Sequence, residues 1–461
     1  MLHSRSRRNI DMTQGPLWRD TLLFALPLIF SGFLQLLFHA ADTIVIGRFS
    51  GSQALAAVGS TGSLNSLLVS LFIGFSTGAN VVVARFIGAK DHKKANTAAH
   101  TAVSISLIFG LFLAVFGFFL ARPMLKLMDS PDDIIDLSVL YVRIIFLGMP
   151  FQMLYNFCSA ILRAAGDTKR PLYFLTAAGV INFVLNLLFV IGFHMNVAGV
   201  ALATIISQAV SAAMAFRSLT MRDDCVRIHI KKLKIDRRDF IEIARIGLPC
   251  GVQTSMFSIA NVLIQSTRNS FGSVVIAGCA TAMNLGNFIS QVPNAFAQAV
   301  TSFAGQNIGA KKPRRILHSM IYCHVWNTAI TLVMGLGGYI FGEKLLSLYN
   351  TDPEVVYWGL QQFRVVNVPY FLLGFQSIFS GALRGMGFSI LPMIISLVGI
   401  CLFRVLWVMT VFKATPTLLC LNISYPISWI LTGIAAGITF AVFFKRVKKQ
   451  FEASSLSGHS L

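Results

Sequence analysis

The chain has 461 residues, of which 55% are hydrophobic and only 12% charged, and its mean hydropathy is +0.70. Soluble globular domains carry about 25% charged residues, so this composition excludes a soluble protein and indicates a membrane protein. The formal charge of +20 does not indicate nucleic-acid binding, because the basic residues lie between apolar segments and not on one soluble face. The seven cysteines show no metal-ligand spacing, so we interpret them as apolar packing residues.

Apolar segments long enough to cross a bilayer as helices, about 20 residues each, recur along the whole chain. Their limits, set by Gly, Pro and charged residues, predict twelve transmembrane helices: 21–46, 54–84, 97–120, 137–160, 172–194, 197–217, 242–267, 274–304, 316–341, 355–382, 388–412 and 417–444. The sequence therefore predicts an all-α polytopic membrane protein.

Lys and Arg residues predict the orientation of these helices, since positively charged loops stay in the cytoplasm. With the N-terminus on one side, 29 of the 38 Lys and Arg residues fall on that side and 6 on the other. The remaining three, Arg143, Arg364 and Arg404, lie inside predicted helices. This asymmetry predicts that both termini are cytoplasmic.

The two halves of the chain repeat each other in sequence. Four pairs of segments match in the same order: "ALPL" (25–28) with "GLPC" (247–250), "ARFIGAKDHKK" (84–94) with "GQNIGAKKPRR" (305–315), "DSPDDI" (129–134) with "NTDPEV" (350–355), and "SAILRAAGDTKRP" (159–171) with "SGALRGMGFSILP" (380–392). Six helices per repeat give both halves the same orientation, which is a transporter architecture with a central cavity. We therefore predict two pseudo-twofold-related six-helix bundles.

The longest polar segment, "RSLTMRDDCVRIHIKKLKIDRRDF" (217–240), separates the two halves. It is too short and too charged to form a folded domain. We predict an N-terminal lobe at 1–216, a cytoplasmic linker at 217–240, and a C-terminal lobe at 241–461 that ends in a basic cytoplasmic tail.

One carboxylate lies inside a predicted helix: Asp42, in "LLFHAADTIVIG" (36–47), about 20 residues into the first helix and therefore toward the outer leaflet. Of the 18 acidic residues, all the others fall in tails, loops or helix ends. A carboxylate in hydrocarbon costs about 2.5–3.5 kcal/mol, so its retention points to a function. Because its charge state responds to water and bound cations, such a group can couple a driving ion to a substrate. The alternative is a structural Asp that is hydrogen-bonded to a neighbouring helix.

Sequence spacing suggests partners for Asp42. His39 precedes it by three residues and shares its helix face, while Asn182 and Asn186 are four apart on one face of the fifth helix. For the two asparagines, hydrogen bonding between helices is the alternative to ion binding. His39 is either a proton relay or a helix-packing residue.

The chain resembles the prokaryotic multidrug and toxic compound extrusion (MATE) transporters over about residues 15–444. The motifs that carry the resemblance are "FHAADTIVIGRFSGSQALAAVG", "GFSTGANVVVARFIGAKD" and "ILRAAGDTKRP" with its second-half counterpart "ALRGMG". The resemblance implies two six-helix lobes, cytoplasmic termini, a bacterial inner-membrane location, and efflux of organic solutes driven by an inward H⁺ or Na⁺ gradient.

The resemblance also implies an ion-coupling cluster in the first lobe. In the family, the Asp of the first helix joins polar residues of the fifth and sixth helices, which correspond here to Asn182, Asn186 and Thr204. The position of Asn186 is an Asp in many relatives, so this cluster has one negative charge fewer. Because Na⁺ prefers anionic oxygen ligands, the cluster favours H⁺, with Na⁺ at Asp42 as the alternative.

The second half is polar but neutral inside its helices. "FHAAD" of the first helix aligns with "FSIAN" of the seventh, so Asn261 takes the place of Asp42. The carboxylates that some MATE branches carry in helices seven and ten are absent from this sequence. We predict that the second lobe shapes the substrate cavity with five polar side chains: Gln253, Asn261, Gln265, Asn284 and Asn287.

Together these features predict a secondary multidrug antiporter that exports lipophilic, cationic compounds by alternating access. Because the chain has no GxxxxGK[ST] motif, we do not expect ATP to be its energy source. As a transporter driven by an ion gradient, it is expected to be neither an enzyme nor dependent on a cofactor. The expected partners are a small-molecule substrate and the lipid bilayer, without nucleic acid, and the expected state is a monomer. The alternative function is a lipid-linked precursor flippase, which needs cationic residues such as Arg143, Arg364 or Arg404 in its cavity to hold pyrophosphate.

Overall fold

A computed structural model describes residues 10–128 and 131–457, except for the side chains of residues 63–68 and 454–457. The basic residues before position 10, and Asp129 and Ser130 of one repeat pair, lie outside the described residues. Every regular element in the described part is a helix. The α-helices are α1 (Leu17–Phe49), α2 (Gly51–Gly88), α3 (His92–Leu127), α4 (Ile135–Leu147), α5 (Met149–Ala164), α6 (Lys169–Asn186), α7 (Asn196–Thr220), α8 (Arg237–Arg268), α9 (Ser273–Gly309), α10 (Pro313–Ile340), α11 (Gly342–Ser347), α12 (Pro353–Gln362), α13 (Tyr370–Gly385), α14 (Ile390–Ser396), α15 (Phe403–Trp407) and α16 (Leu418–Ser457).

The predicted all-α membrane fold is confirmed. Among the described residues, 11 helices are long and apolar enough to cross a membrane, and 12 if one bent pair counts as a single span. That pair is α4 and α5, which meet at 45° and together replace the single helix predicted at 137–160. The bend lies at Gly148, just before Pro150, whose ring has no N–H to continue the hydrogen bonding of α4.

Several helices contain π-helical segments that the sequence pattern does not predict. These segments are Leu187–Gly192 after α6, Phe363–Asn367 after α12, and Leu397–Leu402 and Val408–Phe412 on either side of α15. π-Helical turns are rare and are often found at functional sites. One of them, Leu187–Gly192, directly follows the polar pair Asn182 and Asn186.

The described residues form two compact units that do not simply follow chain order. The first contains Phe30–Ile87 and Asp91–Gly251, and the second contains Asp11–Ile29, Gly88–Lys90 and residues 252–457. The N-terminal segment is held within the second unit, where Asn307 donates its side-chain N–H to the carbonyl oxygen of Met12 at 3.0 Å. The lobe boundaries predicted at 216 and 241 remain a prediction.

The internal repeat of the sequence reappears in the backbone. Three pairs of residues, each 221 positions apart, have positive φ: Gly51 with Gly272, Lys90 with Lys311, and Gly166 with Gly387. Non-glycine residues rarely adopt positive φ, so the shared conformation of Lys90 and Lys311 is specific. In each half this residue lies in the short turn between the end of one long helix and the start of the next.

Equivalent hydrogen bonds also occur in both halves. Asn80 donates to the carbonyl oxygen of Ala160 at 2.9 Å, and Thr301 donates to that of Gly381 at 3.0 Å. Each residue of the second bond lies 221 positions after its counterpart. Both bonds are buried, where an unpaired polar group would cost free energy.

The segment predicted as a linker, 217–240, is part of the first unit. Val226 and Ile228 are buried in its hydrophobic core, and Asn96 donates to the carbonyl oxygen of Arg227 at 2.8 Å. The buried Arg222 guanidinium forms an ion pair with Asp167 at 3.4 Å. The segment is therefore anchored by apolar, polar and charged contacts.

Glycines bring α2 and α8 into close backbone contact within the first unit. A Cβ atom on Gly78 would lie 2.3 Å from the carbonyl oxygen of Ile243, and one on Gly247 would lie 2.6 Å from the Cα atom of Phe75. Gly74 and Gly251 face each other in the same way, since a Cβ atom on Gly74 would lie 2.2 Å from the backbone nitrogen of Gly251. Both helices thus carry two glycines four residues apart, the GxxxG pattern of tightly packed membrane helices.

Candidate functional site

Four of the five residues predicted to couple an ion lie together in the first unit. Asn186 of α6 donates a hydrogen bond to the Asp42 carboxylate of α1 and another, of 3.1 Å, to the side-chain oxygen of Asn182. Asn182 in turn contacts the Thr204 hydroxyl of α7 at 3.5 Å. We refer to these four residues, Asp42, Asn182, Asn186 and Thr204, as the Asp42 cluster.

The Asp42 carboxylate has no basic partner among the described residues and forms no ion pair there. It is half-buried, whereas Asn186 is fully buried. The side-chain oxygen of Asn186 is buried and accepts no hydrogen bond from any described residue. A carboxylate beside an unpartnered carbonyl oxygen is suited to hold a proton or a small cation, since both groups are oxygen ligands.

The close packing of α1 against α6 explains how the cluster is assembled. A Cβ atom on Gly179 would lie 1.7 Å from the ring of Phe38, so only glycine leaves room for that ring. Asp42 lies one turn beyond Phe38 on α1, and Asn182 lies one turn beyond Gly179 on α6. The π-helical segment Leu187–Gly192 begins directly after Asn186.

For the antiport predicted from the sequence, we expect Gly179→Val to reduce gradient-driven efflux about tenfold or more, because small displacements of binding groups have effects of that size. The added side chain would displace Phe38 and separate Asp42 from Asn186. Initial efflux rates in proteoliposomes measure the effect. Gly337→Val is the matched control, because a Cβ atom on Gly337 meets nothing within 4 Å. Equal efflux by both variants would refute this role of Gly179.

His39, the fifth predicted residue, is not part of the cluster. It is exposed, and its imidazole makes no hydrogen bond within the described part of the chain. Sequence reasoning also missed Tyr141 of α4, which lies within electrostatic range of the Asp42 carboxylate and packs against the core that contains Val45. The only sequence signal for Tyr141 is a hydroxyl-bearing residue in an apolar segment, which is a weak one.

The five polar residues predicted to line a cavity in the second half are not one cluster. Gln253 is buried and donates to the Ser396 hydroxyl at 2.6 Å, while Asn284 and Asn287 are exposed. Asn261 accepts a hydrogen bond from Arg404, and Gln265 accepts one from Arg268. The structure thus separates these residues into three environments.

Asn261 and Asp42 lie at different distances along their helices from the equivalent prolines. Asp42 follows Pro27 of α1 by 15 residues, and Asn261 follows the equivalent Pro249 of α8 by 12. Both helices are continuous, so Asn261 lies about one turn, or about 5 Å, nearer its proline. The two residues are therefore similar in chemistry but not in register.

Three arginines inside predicted helices have different surroundings. Arg143 is half-buried and donates to the carbonyl oxygen of Phe118 at 3.1 Å, and Arg364 is exposed. Arg404 is buried, with 4% of its surface exposed. Of these three arginines, Arg404 is therefore the one that brings a positive charge into the interior.

Comparisons with known proteins agree with this architecture. The MatE family model matches residues 27–188 and 249–410, one match in each half. The probable multidrug resistance protein YoeA of Bacillus subtilis is 30% identical over 394 residues, which cover 83% of this chain and 84% of that protein. The probable multidrug resistance protein YpnP of the same organism is 28% identical over 396 residues, covering 86% and 88%.

Solved structures show the same fold. The crystal structure of a MATE protein in the straight conformation superimposes with a TM-score of 0.90 at 21% sequence identity. The match covers 96% of this chain and 100% of that one. The likeness therefore extends over both halves.

Proposed function

Because the chain belongs to the MATE family of membrane transporters, we propose that it is a multidrug efflux antiporter whose coupling ion binds at the Asp42 cluster. The relatives named above are described as multidrug resistance proteins, which supports export of varied organic compounds. The protein acts as a transporter and not as an enzyme.

The observation that carries the proposal is the pairing of Asp42 with Asn186. A single carboxylate contacts a buried amide whose own oxygen has no partner among the described residues, and no basic side chain neutralises it. Ionised, this carboxylate attracts a cation. Neutralised, it loses its need for hydration and permits a conformational change.

The composition of the cluster favours H⁺ as the coupling ion. Asp42 is its only carboxylate, and the other oxygens belong to two amides and one hydroxyl. Hard cations such as Na⁺ are held best by several oxygen ligands that include more than one charge. A proton needs only one basic oxygen, and Asp42 supplies it.

We further propose that the cargo includes lipophilic cations, since the ionised Asp42 would attract them. The protein works as a monomer in the bacterial inner membrane, with both termini in the cytoplasm, without nucleic acid or a cofactor. Export of the substrate alternates with entry of the coupling ion. The two processes are coupled because the substrate and the ion favour different charge states of Asp42.

Purified protein in liposomes tests this proposal. We expect ethidium, a lipophilic cation, to be transported against its gradient when ΔpH is imposed, and not when ΔNa⁺ alone is imposed. Transport driven only by ΔNa⁺ would replace H⁺ by Na⁺ as the coupling ion. Equal movement with no gradient at all would refute antiport.

The variant Asn186→Asp sharpens the distinction between the two ions. It adds a second carboxylate beside Asp42, which increases the number of charged oxygen ligands available to Na⁺. We expect this variant to gain transport driven by ΔNa⁺ in the same liposome assay. No change in ion dependence would contradict the proposed reason for H⁺ selectivity.

A further inference from the structure

The second unit contains two buried arginines, Arg404 of α15 and Arg268 at the end of α8. Their exposed fractions are 4% and 1%. Neither forms an ion pair with any described residue. Burying a positive charge without an acidic partner is costly, so these two arginines need an explanation.

Arg404 is held by neutral groups only. Its guanidinium stacks on the ring of Tyr425 at 4.0 Å and donates to the Ser428 hydroxyl at 3.3 Å and to the side-chain oxygen of Asn261 at 3.4 Å. Hydrogen bonds between charged partners are about 2.7–2.9 Å long, so these contacts are weak by comparison. The helix that carries Arg404 is flanked by π-helical segments on both sides.

Arg268 has a similar set of partners. It donates to the side-chain oxygens of Gln265 at 3.3 Å and Asn422 at 3.4 Å, and it contacts the sulfur of Met283 at 3.0 Å. Its Nε–H is buried and has no hydrogen-bond acceptor among the described residues. The C-terminal end of α8 offers a partial negative charge, but not a full one.

Both arginines lie along the same pair of helices. Asn261, Gln265 and Arg268 share one face of α8, at spacings of four and three residues. Asn422, Tyr425 and Ser428 share one face of α16, at spacings of three. The two guanidinium groups therefore follow one seam between α8 and α16.

We propose that this seam is an oxyanion-binding site for cargo, in which Arg404 and Arg268 hold a carboxylate or phosphate group of an organic compound. The amide oxygens of Asn261, Gln265 and Asn422 stand where the oxygens of the anion would bind. The planar fork of a guanidinium donates to two oxygens of a carboxylate or phosphate at once, and the Tyr425 ring, on which the Arg404 guanidinium stacks, holds that guanidinium at the seam. Use of the seam for cargo rests on the proposed transport function, to which it adds anionic and zwitterionic compounds.

Access to the seam is available at Asn261. This residue is exposed, and its side-chain oxygen directly contacts Arg404. A ligand needs only to displace this amide to reach the guanidinium. Charge provides the driving force, because a negatively charged oxygen replaces a neutral one.

Binding to the purified protein tests the site without any ion gradient. Isothermal titration would compare 2-naphthoate, phenyl phosphate and the uncharged 2-naphthamide. We expect at least one of the two anions to bind about tenfold or more tightly than the amide, and Arg404→Gln to remove this preference, a change of about 1.4 kcal/mol. Arg364→Gln, which alters an exposed arginine of the same unit, should bind like the wild type.

Asn261→Asp provides a second variant in case Arg404→Gln does not fold. The new carboxylate would pair with Arg404, so we expect a higher melting temperature and about tenfold weaker binding of the anions. Failure of the wild-type protein to prefer either anion, or unchanged anion binding by Asn261→Asp, would overturn the proposal. Either result leaves transport of ethidium in liposomes unaffected, so the failure of this site is distinguishable from the failure of antiport.

Discussion

Replacing Asp42 by Asn is expected to abolish gradient-driven efflux while the protein remains folded in the membrane. The two side chains have nearly the same shape, and an amide at this position can still bond to Asn186. The variant is permanently neutral, however, so it can neither bind a proton nor attract a cationic substrate. Ethidium transport under an imposed ΔpH, measured in liposomes with equal amounts of inserted protein, is the direct test.

Asp133→Asn is the matched control, because it removes an exposed carboxylate by the same change. We expect it to transport like the wild type. Asp42→Glu keeps the charge but extends the side chain by one methylene group, so it should retain part of the activity. Wild-type transport by Asp42→Asn would place ion coupling elsewhere in the chain.

The fold could be predicted from the sequence because both halves have the same pattern of helix-ending residues. Gly, Pro and charged residues mark where the helices end, and the matching φ of Lys90 and Lys311 shows that the repeat is structural. The bend at Gly148 and the π-helical segments were not accessible. They depend on packing between helices, which changes backbone geometry without changing the apolar pattern.

The Asp42 cluster was only partly accessible from sequence. The spacing of Asn182 and Asn186 gives a shared helix face, and the family resemblance pointed that face towards Asp42. The contact between Gly179 and Phe38 joins residues more than a hundred positions apart, so no local pattern reveals it. His39 illustrates the opposite case, since a position three residues from Asp42 did not bring its side chain into the cluster.

The burial of Arg268 could not be predicted by counting Lys and Arg residues in the loops on each side of the membrane. Arg268 follows the last residue of a predicted helix, where an arginine is normally counted as a loop cation. In the structure it is buried against Asn422, a residue 154 positions later in the chain. Tertiary contacts with α16 therefore determine the environment of Arg268. The apolar pattern of the sequence around Arg268 does not predict these contacts.

Gly78→Leu is expected to prevent stable folding of the first unit. A Cβ atom at this position would lie 2.3 Å from the carbonyl oxygen of Ile243 and 2.9 Å from the backbone nitrogen of Gly247. These are backbone atoms, so they cannot move aside by a change of rotamer. Separating α2 from α8 would cost about 3 kcal/mol or more, and it would strain the nearby ion pair of Arg85 with Glu242.

Size-exclusion recovery and melting temperature in detergent measure this effect. Gly337→Leu is the control, because the same side chain there enters open space, and we expect it to melt like the wild type. Gly78→Ala tests the cause, since even a single methyl group clashes with the backbone of α8 and should lower the melting temperature. If Gly78→Leu melted at the wild-type temperature, α2 and α8 would have to separate without loss of stability. That result would refute the need for the close approach of these helices in the stability of the first unit.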